Sequence, residues 1–166
     1  MAIAPTKSSS FILGQVSQSI EPEFSNCYVK DLAKSKVTIK NPFLMKLLDE
    51  KGHNTPDVWS SILQADGSVQ HLDILSDEEK MVFKTFAEIN PESIIDQAGA
   101  RTPYIDQAQS LNLMIDPDMS VKDINALYFR AWQLGVKSLY YQFSMSKAQS
   151  LTRKKTMNTS CASCEG

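Results

Sequence analysis

Two cysteines near the end of the sequence are the residues best suited to redox chemistry. Cys161 and Cys164 form a Cys-x-x-Cys pair on a polar segment, and two thiols at this spacing can close a reversible disulfide. A zinc site needs further ligands, but His53 and His71 lie far away along the chain and Cys27 falls in a predicted strand. Dithiol exchange is therefore favoured, and a metal-scavenging or incidental pair stays as the alternative.

A second candidate for redox chemistry is the pair of adjacent tyrosines, Tyr140 and Tyr141. Each phenol can give up an electron and a proton, so two neighbouring phenols could relay an oxidising equivalent. The pair also lies in a strand-like segment, where ordinary β-propensity explains neighbouring aromatic residues. The residues alone favour core packing and leave the relay open.

A third candidate is the loop Ala4-Pro5-Thr6-Lys7-Ser8-Ser9-Ser10, which follows a short apolar run. It places hydroxyls and backbone N–H groups at the start of a predicted helix, where the helix dipole favours a phosphate. The alternative is that Ser8 or Ser9 merely caps the helix, and spacing alone favours this alternative. Lys7 shifts the balance slightly towards an anion.

The elements that must position these residues are mainly helical, with a few strands. Apolar periodicity and capping residues predict helices that begin near residues 6, 42, 55, 76, 90 and 120. Alternating residues predict a β-hairpin over 25–40 and strands over 1–5, 111–115 and 136–143. We expect residues 1–143 to fold as one domain and the polar residues 144–166 to form a flexible tail.

Composition and charge limit the class of protein. The 166 residues are 42% hydrophobic and carry a net charge of −2, which is ordinary for a domain with a buried core. No apolar run is long enough to span a bilayer and the N-terminus lacks the charged region and apolar core of a secretory signal, so we expect a cytoplasmic protein without a membrane partner. The basic residues of 144–166 are typical of a solvated segment, and no nucleic-acid partner and no metal site are predicted.

Five segments, in this order, resemble the large subunit of class I ribonucleotide reductase. They are Ala4–Ser10, Ser19-Ile20-Glu21-Pro22 with Ser25-Asn26, Tyr104-Ile105-Asp106-Gln107-Ala108-Gln109-Ser110-Leu111-Asn112, Gly135-Val136-Lys137-Ser138-Leu139-Tyr140-Tyr141, and the terminal cysteine pair. Each motif is weak by itself, but five in register are specific. The resemblance covers residues 2 to about 143 and resumes at 161.

The resemblance implies the C-terminal part of a ten-stranded α/β barrel and roles for particular residues. Tyr140 and Tyr141 would pass the oxidising equivalent towards a catalytic cysteine. Cys161 and Cys164 would re-reduce the active-site disulfide and then be reduced by thioredoxin or glutaredoxin. The residues implied to contact the diphosphate of a ribonucleoside substrate are Pro5, Thr6, Lys7, Ser8 and Ser9.

The resemblance also implies partners for the chain. A metal-containing β subunit would supply the radical and dock its tail near residues 120–135, while this chain itself would bind no cofactor. After Tyr141 the sequence continues Gln142-Phe143-Ser144-Met145-Ser146, whereas some relatives have arginines there, so the edge of the radical path departs from the family pattern.

The family's thiyl-radical cysteine, its partner pair and its nucleotide-sensing region have no counterpart in this sequence. We therefore expect a separately encoded C-terminal half or a truncated piece, inactive alone, which associates with the N-terminal portion of the α subunit because its apolar faces are costly to expose. Two other hypotheses are a non-catalytic remnant or interaction module and a stand-alone dithiol carrier. The second is disfavoured because its cysteines would not lie at a helix N-terminus.

Overall fold

The computed structural model describes residues 1–14, 16–32 and 35–144. These residues belong to two compact units: Glu23–Phe86 forms one, and Met1–Pro22 together with the chain from Ala87 onward forms the other. The helices are α1 (Lys7–Ile12), α2 (Pro42–Glu50), α3 (Pro56–Gln64), α4 (Asp77–Val82), α5 (Pro91–Arg101) and α6 (Val121–Gln133). The strands are β1 (Cys27–Leu32), β2 (Ser35–Lys40), β3 (Leu113–Met114) and β4 (Gln142–Phe143), with short 3-10 helices at Phe86–Glu88 and Thr102–Tyr104.

The unit Glu23–Phe86 contains the predicted β-hairpin followed by three helices. β1 pairs antiparallel with β2 in the register Cys27 opposite Lys40, as the alternating sequence predicts. The side chain of Asn41 accepts hydrogen bonds from the N–H groups of Phe43 and Leu44 and so caps α2. Capping of this kind satisfies N–H groups that have no partner inside the helix.

The core of this unit is apolar, and the side-chain amide of Asn26 is buried in the same unit. Asn26 donates to the carbonyl oxygens of Gly67 at 3.0 Å and Phe83 at 2.7 Å, while Asn41 donates to its Oδ1 at 2.9 Å. These bonds tie the start of β1 to α2 and to two loops. The buried core residues are Cys27, Leu44, Leu48, Trp59, Ile62, Val69, Leu72 and Leu75.

In the other unit, α5 and α6 pack closely together because Gly99 lacks a side chain. A Cβ at Gly99 would lie 2.8 Å from the Cβ of Leu134, which no side chain could accept without movement. A bidentate ion pair between Arg130 and Asp96, at 2.6 and 2.8 Å, joins the same two helices and lowers the pKa of Asp96 through these hydrogen bonds and the charge of the guanidinium. The pair is exposed, so packing at Gly99 is the firmer determinant of the helix spacing.

The strands of this unit are much shorter than the sequence predicts. β3 and β4 pair parallel over two residues each, with Leu113 opposite Gln142. The predicted strand at 1–5 is reduced to a single parallel bridge between Ile3 and Gln109, and the predicted strand at 136–143 to β4 alone. Backbone hydrogen bonds continue on both sides of this short pairing, from the Tyr140 N–H to the carbonyl of Leu111 and from the Ile115 N–H to the carbonyl of Phe143, each at 2.8 Å.

The helix predicted from Ser76 is also shorter than its apolar pattern. It begins at the predicted capping box of Ser76 and Glu79 but ends at Val82, because the N–H of Phe86 donates to the carbonyl of Glu23 at 2.8 Å instead of continuing the helix. Within the described part of the chain, no helix has the length and apolar character needed to cross a membrane.

Candidate functional site

The loop before α1 is held in an unusual backbone conformation. Thr6 has φ of 46° and Ser19 has φ of 53°, the left-handed region that β-branched residues such as threonine rarely adopt. The N–H of Ser19 donates to Thr6 Oγ1 at 2.8 Å, and the Ser19 hydroxyl donates to the carbonyl of Ser110 at 3.4 Å. Since strain of this kind persists only where surrounding contacts maintain it, these bonds fix the position of the residue that follows, Lys7.

Ser8 and Ser9 do not cap the helix, so the capping alternative is wrong. Both residues lie inside α1, and the N-cap position belongs to Thr6, whose side chain makes no capping hydrogen bond. The side chains of Ser8 and Ser9 are exposed, and Ser10 is the serine that turns inward, donating to the carbonyl of Lys7 at 2.9 Å. The first N–H groups of α1 therefore have no side-chain acceptor at the N-cap, and two hydroxyls beside them face solvent.

Tyr140 and Tyr141 contact each other and are not core residues, so the core-packing alternative is also wrong. Their ring centroids lie 4.2 Å apart with planes at 58°, and about half of each residue is exposed. A hydrogen bond with the Tyr141 phenol, reinforced by the charge of that phenol, raises the pKa of Tyr140. The two rings are therefore in direct contact and both are accessible to solvent.

Lys7 connects the loop to the tyrosine pair. Its Nζ lies over the Tyr141 ring, 5.1 Å from the centroid, within the range of a cation–π interaction. Among the described residues, the structure shows no carboxylate paired with this ammonium. The loop and the tyrosines, which are separated by more than 130 residues in sequence, thus form one site.

A buried carboxylate supports the backbone of the tyrosine pair. Glu21 and Asn112 are only 6% and 2% exposed. Glu21 accepts from the backbone N–H of Asn112 at 2.9 Å and from its Nδ2 at 2.8 Å. The Asn112 Oδ1 in turn accepts from the N–H of Tyr141 at 3.2 Å. The carbonyl of Tyr141 accepts from Leu113 at 2.9 Å, so the main chain at Tyr141 is held on both sides.

This arrangement predicts that Glu21→Gln destabilises the unit. A glutamine amide keeps one acceptor oxygen but presents an N–H₂ group to a buried donor, so one hydrogen bond is lost and a donor is left unsatisfied. We expect a loss of about 1–3 kcal/mol in the free energy of unfolding, measured by urea denaturation.

The matched control for that variant is Glu92→Gln, an exposed position in the first turn of α5 in the same unit, where the loss of a charge at a helix N-terminus should cost about 0.3–1 kcal/mol. Equal stability of the two variants would show that the buried carboxylate is not needed to hold Asn112.

Three residues of the site, Ser19, Glu21 and Asn112, have no functional role in the sequence predictions. All three lie in segments that carry the family resemblance. Their partners, however, lie up to 91 positions away, so no local pattern reveals them. Cys161 and Cys164 lie outside the residues that the structure describes.

Known proteins share the sequence and the fold of this chain. Residues 1–142 match the model of the ribonucleotide reductase barrel domain. The large subunit of ribonucleoside-diphosphate reductase from Invertebrate iridescent virus 6 is 42% identical over 85% of this chain, and that from Invertebrate iridescent virus 3 is 40% identical over 99% of it. In three dimensions, the class Id ribonucleotide reductase alpha subunit of Actinobacillus ureae matches 89% of the chain with a TM-score of 0.79 and 56% sequence identity.

The chain belongs to the ribonucleotide reductase barrel-domain family. The proteins that it resembles are large, or alpha, subunits of ribonucleoside-diphosphate reductase, and the chain spans 15%, 28% and 26% of the three compared above. The predicted family and the predicted α/β barrel class are therefore confirmed, and the chain corresponds to part of such a subunit.

Proposed function

We propose that this chain acts as the C-terminal part of a ribonucleoside-diphosphate reductase large subunit, in the radical-based reduction of ribonucleotides to deoxyribonucleotides. The observation that carries the proposal is the contact of Lys7 with the Tyr141 ring. It brings the loop assigned to substrate and the tyrosines assigned to radical transfer into one site. A core-packing role would not require exposed, mutually contacting phenols beside a cation.

In this proposal, the segment Pro5–Ser9 contacts the diphosphate of the substrate. The exposed hydroxyls of Ser8 and Ser9, the hydroxyl and backbone of Thr6, the ammonium of Lys7 and the first N–H groups of α1 are all groups that favour phosphate oxygens. Pro5 restricts the backbone that enters the loop. No cofactor is held by the chain, and a ribonucleoside diphosphate is its small-molecule partner.

Tyr140 and Tyr141 relay the oxidising equivalent from a metal-containing β subunit towards the catalytic cysteine of the large subunit. A docking surface for that subunit is available on α6, where Phe129 and Trp132 are exposed and stack at 5.4 Å, while Leu127 and Ala131 on its other side are buried. Exposed aromatic residues on an amphipathic helix favour a protein partner over solvent.

The rest of the proposal concerns the terminal cysteines, the compartment of the protein and its partner within the large subunit. Cys161 and Cys164 re-reduce the active-site disulfide and are themselves reduced by thioredoxin or glutaredoxin. Reduced thiols of this kind are maintained in the cytoplasm, which is where we place the protein. The N-terminal portion of the α subunit is the partner that completes the barrel.

Mixing experiments test this proposal. The purified chain should convert no ribonucleoside diphosphate by itself, because the radical-bearing cysteine implied by the family is not among Cys27, Cys161 and Cys164. Turnover should appear when the chain is mixed with the remaining portion of the large subunit and a β subunit, measured as deoxyribonucleotide formed.

The control for this mixture omits the chain and should give no product. Product from the isolated chain would contradict the proposal that the radical-bearing cysteine lies in the remaining portion of the large subunit. A stable complex that forms without any turnover would instead support a non-catalytic interaction module.

A further inference from the structure

The two phenols of the pair have different electrostatic surroundings. Lys7 Nζ lies 5.1 Å from the centroid of the Tyr141 ring. Among the described residues, no cation lies over the Tyr140 ring, whose aromatic contact is with Tyr141 at 4.2 Å. The hydrogen bond from the Ser19 N–H to Thr6 Oγ1 holds the residue that precedes Lys7. The backbone position of Lys7 is therefore set by the fold.

A cation over an aromatic face stabilises the electron-rich, reduced ring. Oxidation removes one electron from that π system, so the attraction to the cation is weaker in the phenoxyl radical than in the phenol. The Lys7 ammonium therefore makes Tyr141 harder to oxidise than it would be alone. Since no cation–π contact involves the Tyr140 ring among the described residues, the effect on Tyr140 is smaller.

We propose that Lys7 is a positioning residue for radical transfer, which makes the tyrosine pair unequal and favours the radical on Tyr140 over Tyr141. The inference rests on the proposed relay role of the pair and adds an energetic difference between its two members. The oxidant is a one-electron acceptor of the kind that the β subunit supplies.

The transfer within the pair balances as a hydrogen-atom exchange. When the radical is on Tyr141, the Oη–H bond of Tyr140 breaks, and its electron and proton pass to the phenoxyl oxygen of Tyr141. An Oη–H bond forms there, Tyr141 returns to the phenol, and Tyr140 becomes the neutral phenoxyl radical. Lys7 loses no proton in the step and acts only through its charge.

An exposed cation–π contact is worth about 0.5–1 kcal/mol, so the expected effect on this exchange is about two- to fivefold in its equilibrium constant. In a one-electron couple this corresponds to about 20–40 mV. The effect is small enough to leave folding unchanged and large enough to measure.

The test places 3-aminotyrosine at position 141 or at position 140 of the full chain and records its reduction potential by voltammetry. This analogue is oxidised more easily than tyrosine or tryptophan, so its wave is separate from those of the other aromatic residues. In Lys7→Met the reduction potential at position 141 should fall by about 20–40 mV, and the reduction potential at position 140 should fall by less. Lys7→Arg keeps the cation and should restore the potential.

The matched control is Lys40→Met, because Lys40 makes the same kind of contact, 4.8 Å from the centroid of the Trp59 ring, in the other unit. It should leave both potentials unchanged. An unchanged potential at position 141 in Lys7→Met, or an equal fall at both positions, would overturn the inference. Either result would leave the relay itself standing, since the relay is tested separately by removing the phenol oxygens and measuring turnover.

Discussion

Replacing either tyrosine of the pair by phenylalanine should abolish ribonucleotide reduction in the reconstituted enzyme. Tyr140→Phe and Tyr141→Phe remove only the phenol oxygen, so a one-electron oxidation at an accessible potential is no longer available while the ring volume is retained. We expect turnover to fall by more than about a thousandfold, which corresponds to a barrier increase above about 4 kcal/mol. The measurement is deoxyribonucleotide formed per enzyme per minute.

The structure supplies a matched control for these variants. Tyr104 lies in the same unit and is 80% exposed, so Tyr104→Phe removes a phenol oxygen away from the pair and should keep turnover near that of the unmodified enzyme. All three variants should unfold within about 0.5 kcal/mol of the unmodified chain, because the rings are half-exposed or more. Undiminished turnover in Tyr140→Phe and Tyr141→Phe would exclude the relay.

The second large effect is expected at the terminal cysteines. Thiol–disulfide exchange needs one thiol to attack and a second to resolve the mixed disulfide. Either Cys161→Ser or Cys164→Ser should therefore block re-reduction of the active site. With thioredoxin, the pre-reduced enzyme should form about one product per active site and then stop. A small dithiol such as dithiothreitol should partly restore turnover, because it can reach the pocket without the cysteine pair.

Cys27 is not expected to substitute for either thiol. It is 1% exposed in the apolar core, and burial raises the pKa of its thiol, with the nearby Lys40 ammonium opposing the effect. Since the thiolate is the nucleophile, such a cysteine is poorly reactive. Ser163→Ala, which changes the residue between the pair without removing a thiol, is the control. Sustained turnover with thioredoxin in both serine variants would show that the pair is incidental.

Much of the local structure could be predicted because its causes lie within a few residues. The Asn41-Pro42 and Ser76-x-x-Glu79 signals begin helices where predicted, since a capping side chain reaches N–H groups only two or three positions ahead. The hairpin of β1 and β2 follows from period-two alternation with a short connection. Errors occurred where a distant partner ended an element, as when Phe86 bonded to Glu23.

The family, the capped helices, the hairpin and the candidate residues of the site could be predicted from the amino-acid sequence, because each depends on residue types in local order. The folded chain was needed to show that Lys7 lies over Tyr141 and that Glu21 holds the backbone of Tyr141 through Asn112. It was also needed to show that Ser8 and Ser9 do not cap α1. The contacts of Lys7 with Tyr141 and of Glu21 with Asn112 join residues 91 or more positions apart, and they depend on how the elements pack, which a local pattern does not indicate.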